Sequence, residues 1–251
     1  MKKLFILTFS ITALILCGCF DTIQEVSLND DGTGILKNTN DMSALLGMAK
    51  QIGGKEATEK LGDKQIDSTY SLDKMLDSSA TLSVEEKAMA RGGHLHINLD
   101  AKADKFIHTM ILPFKSPADI DKLNKISEKL MQEAMEKQLG KMPEMGMEDI
   151  PDQTHIDDYF TITYSKGHIS KELHAEKYKN AEKDEYLKGM KEAAAMGIPM
   201  TATYVFHLPS PAKKVEGKNV KISQDGKQVT LKASIEDFFD DPAKFTFRIE
   251  Y

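Results

Sequence analysis

The sequence predicts an α+β fold: a curved antiparallel sheet built from hairpins, with two long helices packed on one face. Three observations predict it. Period-two apolar patterns occur in pairs about short polar turns, as at His94–Leu99 with Lys105–Phe114 and at Val220–Ser223 with Gln228–Ala233. Two longer stretches, Pro117–Leu139 and Ala181–Met196, instead carry apolar residues at helical spacing. No fixed-period repeat and no Pro/Ser-rich linker divides the chain, so residues 23–251 are expected to form a single α+β domain.

From the N-terminus, Ile23–Leu28 and Ile35-Leu36 flank the turn Asn29-Asp30-Asp31-Gly32-Thr33-Gly34 as a hairpin. A calcium loop is a poor reading of that turn, because Asn38 stands where the bidentate glutamate would be needed. A helix is expected over Asp41–Ile52, capped by Asp41 and stopped by Gly53-Gly54. Residues 55–93 suggest only two short helices, one around Leu72, Met75 and Leu76 and another over Ser83–Ala90. The hairpin His94–Phe114 turns at Ala101–Asp104, and Ser116-Pro117-Ala118-Asp119 opens the first long helix with proline at its first position. That helix turns Ile120, Leu123, Ile126, Leu130, Met131 and Ala134 toward the core and ends at Gly140. After a Met, Pro and Gly loop over 141–155, Asp158–Tyr164 and Gly167–His174 pair across Ser165-Lys166. The second long helix, Ala181–Met196, is closed by Gly197 and Pro199. Thr201–Leu208, Ala212–Val215 and the hairpin about Gln224-Asp225-Gly226 follow; Ile235–Phe239 adds a helical turn and Phe245–Tyr251 closes the sheet.

Residues 1–19 have a different character. Lys2-Lys3 precede an apolar run from Leu4 to Leu16, shorter than the roughly 18–20 residues of a spanning helix, and Leu16-Cys17-Gly18-Cys19 follows. These four residues resemble a lipobox. The resemblance implies a signal peptide over 1–18, cleavage between Gly18 and Cys19, lipidation of the Cys19 thiol and a lipidated tether over 19–22. The membrane partner is then a bilayer, reached through N-terminal acyl chains at about 0.8 kcal/mol per buried methylene. Phe20 is not the aspartate that retains some lipoproteins at an inner membrane, which favours an outer membrane in cells that have one. Both cysteines, Cys17 and Cys19, lie here, so the body of the protein has neither a disulfide framework nor a thiolate zinc site. Without Lys2 and Lys3, 31 basic side chains face 39 acidic ones, a formal charge of −8 that argues against nucleic acid and against a basic membrane-binding patch.

The early strand, Asp31-Gly32-Thr33-Gly34 and Asn40-Asp41-Met42-Ser43 opening a helix are similar to the start of the LppM-type domain of bacterial lipoproteins and of related lipoproteins from Bacteroidetes. Tyr204-Val205-Phe206-His207-Leu208-Pro209, with Gly217-Lys218-Asn219 and the hairpin after it, resembles the second half of that domain. The resemblance implies an α+β fold at the cell envelope and, at most, lipid or ligand binding, with no catalytic residues to carry over.

The remaining candidates are clusters of polar or soft side chains. His94 and His96 share one strand face and His108 can lie across from them, which makes these three imidazoles the best metal candidates. Solvent-facing histidines explain the pattern better, since Leu95, Ile97 and Leu99 already supply the core face, and no metal or other cofactor is expected. His168, Glu172 and His174 also share a face but span about 20 Å of extended strand, too far for one ion. Met131, Met135, Met142, Met145 and Met147 suit cuprous copper, yet methionine at helix ends is more often a gap filler. No Gly-x-Ser-x-Gly, His-Glu-x-x-His or phosphate-binding glycine loop occurs, so an enzyme is not expected. The expectation is a membrane-anchored, non-catalytic envelope lipoprotein that binds a lipid, small ligand or partner protein. The alternatives are a structural or assembly subunit of an envelope complex and a metal-handling protein. Replacing Cys19 by serine should release the protein from membranes or stall its processing, as detergent partitioning and the mass of the N-terminal peptide would show; unchanged anchoring would refute the lipidation.

Overall fold

A computed structural model of the chain describes residues 21–44, 46, 47, 50, 62–139, 154–195, 198 and 200–251, the side chains of 135–139 excepted. The expected signal peptide, with Gly18 and Cys19, lies outside the described residues, as do most of the expected helix over 41–52 and the Met-rich loop. Residues 43, 44, 46, 47 and 50 are helical, and Asp41 caps them as expected, its Oδ1 accepting from the Ser43 amide at 2.9 Å.

The fold is α+β, with two sheets where the sequence suggested one. Twelve strands run in chain order as β1 (Asp21–Leu28), β2 (Gly34–Asp41), β3 (Gln65–Ser71), β4 (His94–Asp100), β5 (Lys105–Phe114), β6 (Phe160–Ser165), β7 (His168–Leu173), β8 (Thr201–His207), β9 (Lys214–Glu216), β10 (Val220–Ile222), β11 (Gln228–Ser234) and β12 (Phe247–Glu250). Eight form a sheet in the order β10-β11-β8-β1-β2-β5-β4-β3, and four form a second in the order β6-β7-β12-β9. Every expected hairpin pairs antiparallel, but β1 and β8 are parallel, so the large sheet is mixed. Neighbours in a hairpin are close in sequence and pairing follows from the turn; β1 and β8 meet only when the chain ends come together. β9 and β12, expected in the main sheet, pair with each other in the small one. Strand β1 also starts at Asp21, so half of the expected tether is already sheet.

The helices among the described residues are α1 (Asp73–Ser78), α2 (Val84–Met89), α3 (Ile120–Leu139), α4 (Ala175–Tyr178), α5 (Glu185–Ala195) and α6 (Ile235–Asp240). None of them is long and apolar enough to cross a membrane. The capping box of Ser116 and Asp119 encloses a 3-10 turn over Pro117–Asp119 that leads into α3. Helix α5 is shorter than the expected 181–196 because Asp184 leaves the helical conformation and accepts from the Leu187 amide at 3.0 Å.

One face of the large sheet is covered by α3, by α1 and α2 and by the small sheet. Val26, Leu36, Met110, Leu112 and Phe206 point to that side, where Ile120, Leu123, Ile126 and Leu130 of α3 meet them. The small sheet docks through Phe247, whose ring centroid lies 5.1 Å from Phe206. Glu133 on α3 anchors the turn between α1 and α2, its Oε1 accepting from Ser79 Oγ and from the Ala80 and Thr81 amides at 2.8–3.1 Å.

Gly34 is where the first hairpin presses closest on its neighbours. An added Cβ would stand 2.0 Å from the Ser27 carbonyl oxygen and 2.4 Å from Phe114 Cζ. Gly34→Ala should therefore lower stability by about 3 kcal/mol or more in chemical denaturation. Gly189→Ala, in α5 with nothing within 4 Å of the new methyl, should instead raise it by about 0.5–1 kcal/mol.

Candidate functional site

Inward-facing residues of the large sheet change character along its strands. Phe206, Val26, Leu36 and Leu112 form one cross-strand row; Tyr204, Gln24, Asn38 and Met110 form the next; Ala202, Thr22, Asn40 and His108 form the third. The first row is core, and the third is mostly polar although it faces the same way. Helix α3 begins near the β1–β2 turn, where Pro117 approaches Gly32, and runs back over these rows toward the start of β1. A cavity of about 320 Å³ lies over the second and third rows, roofed by Ser127, Glu128 and Met131 of α3, by residues 154–157 and by Tyr186 and Met190 of α5.

A hydrogen-bond network fixes the floor. Tyr164 of β6 donates to Gln24 Oε1 at 3.0 Å, and Gln24 Nε2 and Asn38 Nδ2 both donate to Asn124 Oδ1 at 3.0 Å. Asn40 Nδ2 lies 2.9 Å from His108 Nε2; with Asn40 as the donor, the ring carries its proton on Nδ1. Asn38 Oδ1 and His108 Nδ1 are buried and have no partner among the described residues. They are an acceptor and a donor enclosed in the floor whose desolvation is not offset by a partner among the described residues, and an unmet buried polar group costs about 1–3 kcal/mol. Burial lowers the His108 pKa from 6.5 to about 4, so the ring is neutral at physiological pH.

At the edge of the cavity next to the small sheet, Lys171 is wholly buried. Its Nζ lies 2.5 Å from Asp157 Oδ1 and 2.6 Å from the Tyr204 hydroxyl, and stands over the rings of Tyr204, Phe160 and Phe245 at 3.9, 4.7 and 5.3 Å. Burial pushes the Lys171 ammonium below its usual value, opposed by Asp157. Burial would raise the Asp157 carboxyl, but Lys171 and the hydrogen bonds from Lys171 and Tyr204 outweigh it and hold Asp157 below the usual carboxylate range. Burial also pushes Glu128 above that range, with Asp157 and Asp158 adding to the rise against His155.

The three imidazoles picked out by the sequence do not meet. His96 is paired with Thr109 and Ile97 with His108, so His94 and His96 face the outer side of the sheet while His108 points into the core. From the sequence His108 could sit opposite His94 and His96 on the paired strand, but the register pairs it with Ile97 and so puts it on the other face. His168 and Glu172 stay on the outer face of the small sheet, Glu172 paired with Arg248 at 2.8 Å, and His174 caps α4. Among the described residues no group of three or more His, Cys, Asp or Glu side chains could hold a metal ion. Met131 lines the cavity; the side chain of Met135 and residues Met142, Met145 and Met147 lie outside the described residues. Sequence reasoning missed Gln24, Asn38, Asn40, Asn124 and Lys171. The available signal was polar side chains at the inward positions of β1 and β2, in phase with Val26 and Leu36.

Compared with known proteins, the chain matches no family model, no curated protein and no solved structure.

The unfolded chain binds the His108 proton before the folded one does, because folding depresses that pKa. Stability should be complete above about pH 6.5 and fall by about 3 kcal/mol as the pH drops toward 4. Denaturation across that range should show a shallower decline for His108→Gln; an equal decline would assign the acid sensitivity elsewhere.

Proposed function

We propose that this protein is a lipid-anchored, non-catalytic binding protein of the cell envelope whose cavity holds a small amphipathic ligand. The observation that carries this reading is the cavity floor: a sheet face that turns from apolar to polar beneath a roof in which Met131, Ile156 and Met190 alternate with polar side chains, with an unpaired buried acceptor on Asn38 and an unpaired buried donor on His108 in the floor. Two of the ionisable groups around it are held in place, which favours binding over proton transfer at those positions. Asp157 is fixed by Lys171 and Tyr204, and His108 leans on Asn40. The lipobox-like Leu16-Cys17-Gly18-Cys19 supports attachment to a membrane, an outer one in cells with two. The similarity to LppM-type domains agrees with ligand binding.

An assembly subunit using residues 117–139 or the Met-rich loop as a contact surface has less support, since the apolar stripe of α3 is already used against the sheet and the loop lies outside the described residues. Metal handling would need imidazoles that the structure places on opposite faces.

Gently purified protein examined by native mass spectrometry should carry a small organic molecule, and Met131→Trp, which fills the cavity of a chain that has no tryptophan, should lose it. A wild-type protein with nothing bound, or a variant that retains the same molecule, would overturn the assignment of this cavity.

A further inference from the structure

Two features of the cavity constrain what it holds and where that ligand comes from. The first is position. Every sheet residue that lines the cavity lies toward the end of the sheet where β1 and β8 begin; Thr22, the second residue of β1, is one of them. Thr22 is three residues from Cys19, so even a fully extended backbone separates them by at most about 11 Å. Acyl chains on Cys19 would hold its sulfur at the level of the lipid head groups, a layer about 5–7 Å deep on each side of the hydrocarbon. The cavity end of the sheet is then pinned against the bilayer, with no tether long enough to lift it away.

The second feature is charge. The histidine and acidic side chains that line the cavity are His108, Glu128, His155 and Asp157, and neither lysine nor arginine lines it among the described residues. Lys171, the nearest buried cation, stands behind Asp157 and Tyr204 and is committed to them. Glu128 stands at the exposed rim with no salt bridge among the described residues; Asp157 and Asp158 add to its negative charge and Lys125 and His155 offset it in part, so an anionic head group would meet a lining that is acidic on balance. A hydroxyl, amide or ammonium group would instead find an acceptor in Glu128 and, in the floor beneath it, the amides of Asn38 and Asn40.

We propose that the cavity is loaded from the bilayer with an amphiphile whose head group is uncharged or cationic, the head seated on the polar rows and the tail left toward the membrane. This rests on the reading of the cavity as a ligand site and on the lipidation of Cys19.

The test reconstitutes the full lipidated protein into phosphatidylcholine vesicles at pH 8, where imidazole is ordinarily neutral. The vesicles carry one of three diazirine-bearing probes: hexadecylamine, hexadecanol or hexadecanesulfonate. After illumination, labelled peptides are mapped by mass spectrometry. The amine and the alcohol should label Thr22, Met131 and Met190 about tenfold or more above the sulfonate, and Glu128→Gln should narrow that ratio. Equal or stronger labelling by the sulfonate, or a ratio that Glu128→Gln leaves unchanged, would overturn the head-group assignment while the ligand site stands. If the vesicle probes fail but soluble octylamine or octanol binds the detergent-purified protein in native mass spectrometry, loading from the bilayer is wrong and the ligand site again stands. Failure of every probe in both formats would remove the inference and the ligand-site reading together.

Discussion

The fold depends on one non-local contact, the parallel pairing of β1 with β8. Seven residue pairs from Asp21–Thr201 to Ser27–His207 join a sheet half built by the N-terminal hairpins to one built by the C-terminal strands. Without it the large sheet would have two raw edges through its middle, each with unpaired amides and carbonyls. The pairing also sets the rows that run across four strands. Because the register is fixed, Phe206, Val26, Leu36 and Leu112 share one level of the core, and the polar residues fall together at another. The site is therefore a product of register. Gln24 and Asn38 are unremarkable separately, and they make a floor only because the strands are aligned.

The interior holds two polar systems that obey different rules. The amide network of Gln24, Asn38 and Asn124, joined by Tyr164, links β1, β2, α3 and β6 through neutral hydrogen bonds, each worth about 1 kcal/mol net. Lys171 is buried and its partner Asp157 half-buried, so the attraction of this ion pair is largely offset by the hydration the ammonium loses, and the pair contributes more to geometry than to stability. Three aromatic rings and the Tyr204 hydroxyl replace part of the water the ammonium gives up. Tyr204 belongs to both the cage and the cavity wall, so the packing of the small sheet is coupled to the position of a residue the ligand site uses.

What the sequence made legible follows the range of the interactions involved. The hairpins β1–β2, β4–β5, β6–β7 and β10–β11 and the stripe of α3 are written in local periodicity, and their boundaries lie within a few residues of those expected. The assignment of strands to two sheets was not legible, because β9 and β12 look like any short strand and their partners are set by packing. Strand β3 escaped notice because Gln65, Asp67, Thr69 and Ser71 alternate with only Ile66, Ser68 and Tyr70, the pattern of an edge with little to bury. The cavity was hidden for the opposite reason. Its polar residues sit at inward positions, and periodicity alone reads such residues as surface. Lys171 shows this best: a lysine in a hairpin reads as solvent-exposed, yet its side chain is wholly buried.

The two ends of the large sheet bear on how copies of this protein tolerate one another at high density. At one end β10 offers three residues, with Lys221 at its centre, too short a template for a neighbouring chain to zip onto. At the other, β3 presents Asp67 among exposed polar side chains, so a second copy approaching in register would bring carboxylate against carboxylate. Both edges of the eight-stranded sheet are thus poor templates for adding a strand from a second copy.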